Sequence, residues 1–205
     1  MKKEYNKEKA LELMNEICRE SSGILTTKEI EESGIYRGLI KSFVDDGILI
    51  RESKGLYSVT SEYPDEYSML QKRSSKLIFS HGTALYLLGM SDRIPHTIDV
   101  SVPQGYNVSR IKKDNPNVRF HYIKTDKWDT GITEIETSLG NKVKLYDKER
   151  CICDLIMLKK DVDKQIYIQA LKEYFSEDQN MRKLIKYARE FNIEEKVRDY
   201  MEVLI

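Results

Sequence analysis

The stretch Gly34-Ile35-Tyr36-Arg37-Gly38-Leu39-Ile40-Lys41-Ser42-Phe43-Val44-Asp45-Asp46-Gly47 decides how this chain is read. Leu39, Ile40, Phe43 and Val44 recur at helical spacing and define an apolar side, while Arg37, Gly38, Lys41 and Asp45 fall opposite them. A helix over 36–46 therefore has an inner face for a core. Its outer face is basic and slim near its start, a shape suited to a major groove about 12 Å wide. Gly34 permits the left-handed turn that brings the chain sharply out of a preceding helix, and Gly47 ends the helix.

On the N-terminal side, Ala10, Leu11, Met14, Ile17 and Cys18 form an amphipathic stripe over 6–20. After Ser21-Ser22-Gly23 and Ile24-Leu25, Thr26-x-x-Glu29 reads as a capping box that starts a short helix ending at Ser33-Gly34. On the C-terminal side, 48–52 and 56–60 read as two strands joined by Ser53-Lys54-Gly55, with Gly55 where a positive φ is needed. Helix, capped short helix, glycine turn, basic-faced helix and basic hairpin together predict a winged helix-turn-helix over residues 1–62. The residues expected to meet double-stranded DNA are Tyr36, Arg37, Lys41 and Ser42 on the groove helix. Thr27 and Lys28 at the start of the second helix and Arg51 and Lys54 at the tip of the hairpin are expected to fix the register on phosphates. Lys2 and Lys3 extend this set. The same cations also fit a solvated surface on a winged helix that grips a protein. Residues 1–60 hold ten basic and eleven acidic side chains, and the whole chain has a formal net charge of +0, so any DNA affinity must come from local placement rather than net charge.

Ser61-Glu62-Tyr63-Pro64-Asp65 is polar and proline-broken, which places a linker there and a second domain over 66–205. Helical patterns over 67–76 and after Ser80-His81-Gly82-Thr83 give way to β-rich runs at 97–102, 118–123, 132–137 and 142–146. These predict a small, mostly antiparallel sheet. From Asp147 the helical pattern returns, with Arg150 and Asp154 as a surface pair. Helices follow over 163–175, over 176–191 behind a Ser176-x-x-Gln179 cap, and over 193–204. The fold class is α+β: a winged helix-turn-helix, then a mixed α/β domain with an antiparallel sheet and C-terminal helices.

Chemistry is sparse. Ser80 and His81 read as helix-capping residues rather than as a nucleophile and its base. Cys18, Cys151 and Cys153 do not converge on a metal and argue against a disulfide framework. Gly89-Met90-Ser91-Asp92 followed by Ile98-Asp99-Val100-Ser101 is faintly similar to the nucleotidyltransferase signature. Ser101 stands where the second acid belongs, and one carboxylate is too few to hold a catalytic metal. The expectation is a non-enzyme with no cofactor and no metal, in the cytoplasm, with no membrane span and no signal-peptide core. Arg110, Lys112, Lys113, Arg119, Lys124, Lys142 and Lys144, continued in sequence by Lys127, Lys148 and Arg150, offer a second basic surface for flanking DNA or an acidic partner, or else an ordinary solvated face.

The chain resembles the AbiEi antitoxins of type IV toxin–antitoxin systems. The resemblance rests on Gly34-Ile35-Tyr36-Arg37, Gly47-Ile48-Leu49 and Gly55-Leu56-Tyr57 in the first part. In the second it rests on Ser80-His81-Gly82-Thr83-Ala84-Leu85, on Ile94-Pro95-His96-Thr97-Ile98-Asp99-Val100, and on the run from Asp147 to Ile156. It implies a bifunctional protein of abortive phage infection. Its winged helix represses its own operon from inverted repeats in the promoter, and its C-terminal domain counters a toxin similar to nucleotidyltransferases.

Overall fold

The computed structural model describes residues 7–20, 23–59, 64–158, 162–176 and 180–204. Lys2, Lys3, Ser21, Ser22, Thr60, the linker 61–63 and Gln179 lie outside them. Two compact units are present: one reaches Ser75 and includes Glu136–Val143, and the other comprises Lys76–Ile135 and Lys144–Ile205. The sequence break at 63–65 differs from this division, because a short helix beyond it and a distant turn both group with the first unit.

In the first unit, α1 (Lys7–Glu20) leads to β1 (Ile24–Thr26), α2 (Thr27–Glu32), α3 (Gly38–Asp45), β2 (Leu49–Ser53) and β3 (Leu56–Val59). Ala10, Met14 and Cys18 of α1, Leu25, Ile30, Ile35, Ile40, Phe43 and Leu49 form one buried cluster. Each large apolar side chain of this kind contributes about 1.5–3 kcal/mol by leaving water. The capping box of α2 is complete. Thr26 N donates to Glu29 Oε2 at 2.6 Å and Glu29 N donates to Thr26 Oγ1 at 3.2 Å. Gly34 has φ +90° and Gly47 +73°, as the turn and the helix stop require. The hairpin is also present, with β2 and β3 antiparallel. It is completed by a strand the sequence reading missed, since β1 pairs with β3 to give the order β1-β3-β2. Thr26→Ala removes the hydroxyl that fills the cap and should cost about 1 kcal/mol in a denaturant melt; an unchanged midpoint refutes the cap's energetic role.

α4 (Glu66–Lys72) is capped by Asp65, whose Oδ1 accepts from Tyr67 N and Ser68 N. Asp65 Oδ2 accepts from Thr137 Oγ1 and from Asn141 Nδ2. These bonds account for the grouping of α4 and the 136–143 turn.

The second unit is built on β4 (Ile78–Phe79), α5 (His81–Leu87), β5 (Ile98–Pro103), α6 (Ser109–Asp114), β6 (Val118–Ile123), α7 (Thr125–Trp128), β7 (Ile132–Glu136) and β8 (Lys142–Tyr146). α8 (Lys148–Met157), α9 (Lys164–Ser176), α10 (Met181–Glu190) and α11 (Glu194–Leu204) follow. The sheet order is β6-β5-β4-β8-β7. It is mixed, which corrects the antiparallel expectation: β5 and β6 run parallel, as do β4 and β8, while β4 and β5 are antiparallel. The physical reason is α6, a crossover helix that lets two neighbouring strands point the same way.

Three local readings change. Ser80 occupies the N-cap of α5, but its hydroxyl caps no backbone N–H and instead lies 2.9 Å from His81 Nδ1. α10 is capped by Asn180, whose Oδ1 accepts from Lys183 N, whereas Ser176 ends α9. Arg150 and Asp154 are not a surface pair. Arg150 is 1% exposed, donates from Nε to Asp154 Oδ1 at 3.0 Å, and lies with Cζ 4.2 and 4.3 Å from the Tyr146 and Phe191 ring centroids. α8 is buried on almost every side, so its i,i+4 pair faces protein rather than water.

Candidate nucleic-acid interface

A flank of α3, where its cationic and apolar sides meet, and the adjoining hairpin line an open cleft of about 260 Å³ formed by Arg37, Ile40, Lys41, Val44, Arg51 and Tyr57. Ile40, Val44 and Tyr57 supply an apolar floor, and three cations stand around it. Arg37 enters from the N-cap of α3, Lys41 from one turn further on, and Arg51 from β2, where it faces Tyr57 of β3 across the antiparallel pair. Sequence reasoning named the three cations but missed the floor. Tyr57, spaced by alternation along a strand, was the signal for it.

The other expected contacts take up distinct places. Tyr36 is 59% exposed and its ring lies over Gly38, where a Cβ would collide with it. The missing side chain at Gly38 leaves room for that ring and keeps the start of α3 slim. Ser42 is half-buried and its hydroxyl lies 3.4 Å from Asp46 Oδ2. Thr27 is tied to the hairpin turn: its N–H donates to Gly55 O at 3.0 Å, and this fixes where Lys54 is presented. Arg51 is exposed but lies within β2 rather than at the tip.

Two of these cations meet acids of α2. Arg37 Nε lies 3.8 Å from Glu31 Oε1, and Lys28 Nζ lies 3.5 Å from Glu32 Oε1. Both pairs are solvent-exposed and easily exchanged for other anions. Glu29 is held separately. Its carboxyl lies below the ordinary range because bonds from Lys72 and Thr26 outweigh the burial that acts to raise it. Lys72 Nζ reaches both Glu29 Oε1 at 2.9 Å and Ile24 O at 2.5 Å. The acids of α2 are thereby offset locally, and the α3 side keeps Lys41, Arg51 and Lys54 exposed.

The second basic set is not gathered the same way. Arg110, Lys112 and Lys113 are exposed on α6, Arg119 lies on β6, and Lys124 follows β6. Lys142 and Lys144 lie on β8, separated from β6 by β5 and β4, roughly 14 Å across three strand spacings. Arg119 Nε stands 3.9 Å from Asp99 Oδ1, and Lys144 Nζ stands 3.9 Å from Glu134 Oε1. Arg150, in the same sequence stretch, is buried and belongs to no surface.

All three cysteines are buried and none is in a disulfide. Burial, reinforced by Asp154, pushes the Cys153 thiol up to about 12 and Cys151 upward as well, so both are inert. Among the described residues no three His, Cys, Asp or Glu side chains are placed to hold a metal ion, and no helix is long and apolar enough to cross a membrane.

Comparison with known proteins adds three findings. No curated protein matches the chain. Among solved structures, the crystal structure of the RV2827C protein from Mycobacterium tuberculosis is similar, with a TM-score of 0.61 at 15% identity over 88% of this chain and 71% of that one. At that identity the likeness concerns the fold. The family model described as "Transcriptional regulator, AbiEi antitoxin" matches residues 12–60, which run from within α1 past the end of β3 and contain the whole cleft. Over those residues the resemblance read from the sequence holds: residues 12–60 are similar to the AbiEi antitoxin transcriptional regulators.

Proposed function

We propose that the first unit is a winged helix-turn-helix that binds double-stranded DNA at inverted repeats in the promoter of its own operon and represses it. α3 enters the major groove and the β2–β3 hairpin serves as the wing. The observation that carries this reading is the convergence of Arg37, Lys41 and Arg51 from two elements on one cleft. Phosphate and base contacts need exactly such local clustering when the net charge is +0. The family match supports an antitoxin-type regulator. On that support, the protein is a non-enzymatic antitoxin of a cytoplasmic abortive-infection system that acts in phage defence. Its C-terminal unit counters a nucleotidyltransferase-like toxin, and the protein needs no cofactor for either role.

A salt titration on the duplex upstream of its own reading frame tests the DNA reading. Lys28, Arg37, Lys41, Arg51 and Lys54 offer up to five phosphate contacts per protomer. The logarithm of the binding constant should therefore fall with the logarithm of salt with a slope of roughly −3 to −4.5 per protomer. A complex insensitive to salt, or none at low salt, would favour a winged helix that grips protein instead.

A further inference from the structure

The second unit contains a polar cluster that DNA binding does not use. β4 ends at Phe79, the chain bends through Ser80-His81-Gly82, and α5 begins at once. In that bend His81 has φ +51°, a left-handed conformation that, among the described non-glycine residues, only Asn192 shares. Such conformations are strained and persist where surrounding structure imposes them, often at sites of chemistry. A sharp, strained strand-to-helix turn is also where nucleophile turns present their side chain, at the top of a sheet.

The surroundings of the imidazole are specific. Its Nδ1 lies 2.9 Å from Ser80 Oγ, which leaves Nε2 as the nitrogen without a protein partner in the bend. The ring stacks on His121 with centroids 3.7 Å apart and planes at 18°. His121 Nε2 is in turn 2.8 Å from Asp99 Oδ1, and Arg119, cross-strand from Asp99, reaches the same oxygen at 3.9 Å. Asp99 N donates to Thr83 Oγ1, so α5 and β5 are locked together beside the pair. Both histidines are half-buried and Arg119 is exposed. Burial, then His121, then the guanidiniums of Arg150 and Arg119 push His81 down to about 4, with Asp99 acting the other way. The imidazole is thus neutral at physiological pH, between the Asp99 carboxylate and the guanidiniums of Arg119 and Arg150.

We propose that His81 is a nucleophilic acceptor site for a phosphoryl group, independent of the DNA-binding role. Nε2 attacks phosphorus and forms the N–P bond. The bond from phosphorus to the donor's leaving group breaks, and the electron pair departs with that group. The Nδ1 proton remains shared with Ser80 Oγ, and Arg119 pairs with the phosphoryl oxygens. The donor is of the activated class, a phosphoramidate or an acyl phosphate. The Arg119 guanidinium selects phosphoryl over a neutral acyl group.

The chain's three histidines give the test an internal standard, since His96 is exposed and His81 is not. The full chain is incubated with potassium phosphoramidate at neutral pH, and acid-labile phosphate is located by mass spectrometry. His81 should label at least about 10-fold faster than His96, against the order of accessibility. Arg119→Ala should slow that labelling several-fold while leaving carbethoxylation of His81 by uncharged diethyl pyrocarbonate unchanged. His81→Asn keeps a residue type that tolerates the left-handed backbone and should abolish the label with the thermal melt preserved. Labelling of His96 first, or carbethoxylation of His81 without phosphoryl transfer, overturns the proposal. The wild-type ratio decides even if a variant fails to fold.

Discussion

Replacing Arg150 with alanine is expected to destabilise the unit formed by Lys76–Ile135 and Lys144–Ile205 by about 3–5 kcal/mol, the range for breaking a buried charge pair on one side. The reason is the number of groups that depend on this one side chain. Nε serves Asp154, and Nη1 donates to Lys127 O at 2.8 Å and Thr130 O at 2.9 Å, which ties down the chain between α7 and β7. The guanidinium fills the space between two aromatic rings, and Gly131 packs so closely that an added Cβ would stand 2.7 Å from Arg150 Cβ. Asp154 already lies above the ordinary carboxylate range, because burial outweighs the attraction of Arg150, and its Oδ2 has no partner. Without Arg150 that carboxyl is buried and uncompensated, and two carbonyls lose their donor. Lysine should not rescue, since a single ammonium cannot reproduce the planar fork. Adding Asp154→Asn to Arg150→Ala should recover part of the loss by removing the stranded acid. Denaturant melts of the three variants measure this. A single-variant loss below about 1 kcal/mol, or no recovery in the double variant, would show that the network is not what holds the unit.

The same residue shows what the sequence could and could not convey. Arg150 and Asp154 stand four apart on a helix, a spacing that on most helices means a solvated pair. Nothing within α8 reveals that other helices and the sheet close over it. By contrast, Thr26-x-x-Glu29, the stripe from Ala10 to Cys18 and the stripe of α3 are local, and the structure realises each within a residue or two. β4 is two residues long, too short for any period, and β1 is three. The direction of β6 depends on α6, whose only buried residue is Ile111, so its periodicity was invisible among Arg110, Lys112 and Lys113. The grouping of Arg37, Lys41 and Arg51 on one cleft was legible because these cations lie within one short helix–hairpin segment. The His81–His121 stack was not, because forty residues and one whole strand, β5, separate its members before the sheet joins them. The alternation around Asp99 and His121 was readable, but their being neighbours was not.

Arg37→Ala combined with Lys41→Ala should separate the two functions assigned to this chain. Arg37 stands at the N-cap of α3 and Lys41 one turn later, both on the cleft that the hairpin closes with Arg51. If Arg37 reads a base edge, its loss costs roughly 1–3 kcal/mol, or about 5- to 150-fold in affinity, and relaxes preference at one position. Lys41 is a compact ammonium that fits a phosphate, so its loss weakens operator and random duplexes alike and lowers the salt slope by about 1. Stability should change by less than about 0.5 kcal/mol, because both side chains are exposed and neither belongs to the buried cluster. Removing Arg37 also frees Glu31, which then repels phosphate from the same face, so the affinity loss includes that repulsion. The double variant should therefore fold normally and lose its footprint on the upstream promoter, while any neutralisation of the toxin, assigned to the second unit, stays intact. A footprint that survives both changes would mean that α3 does not enter the groove. A variant that loses toxin neutralisation along with DNA binding would mean that the two roles share one surface rather than two.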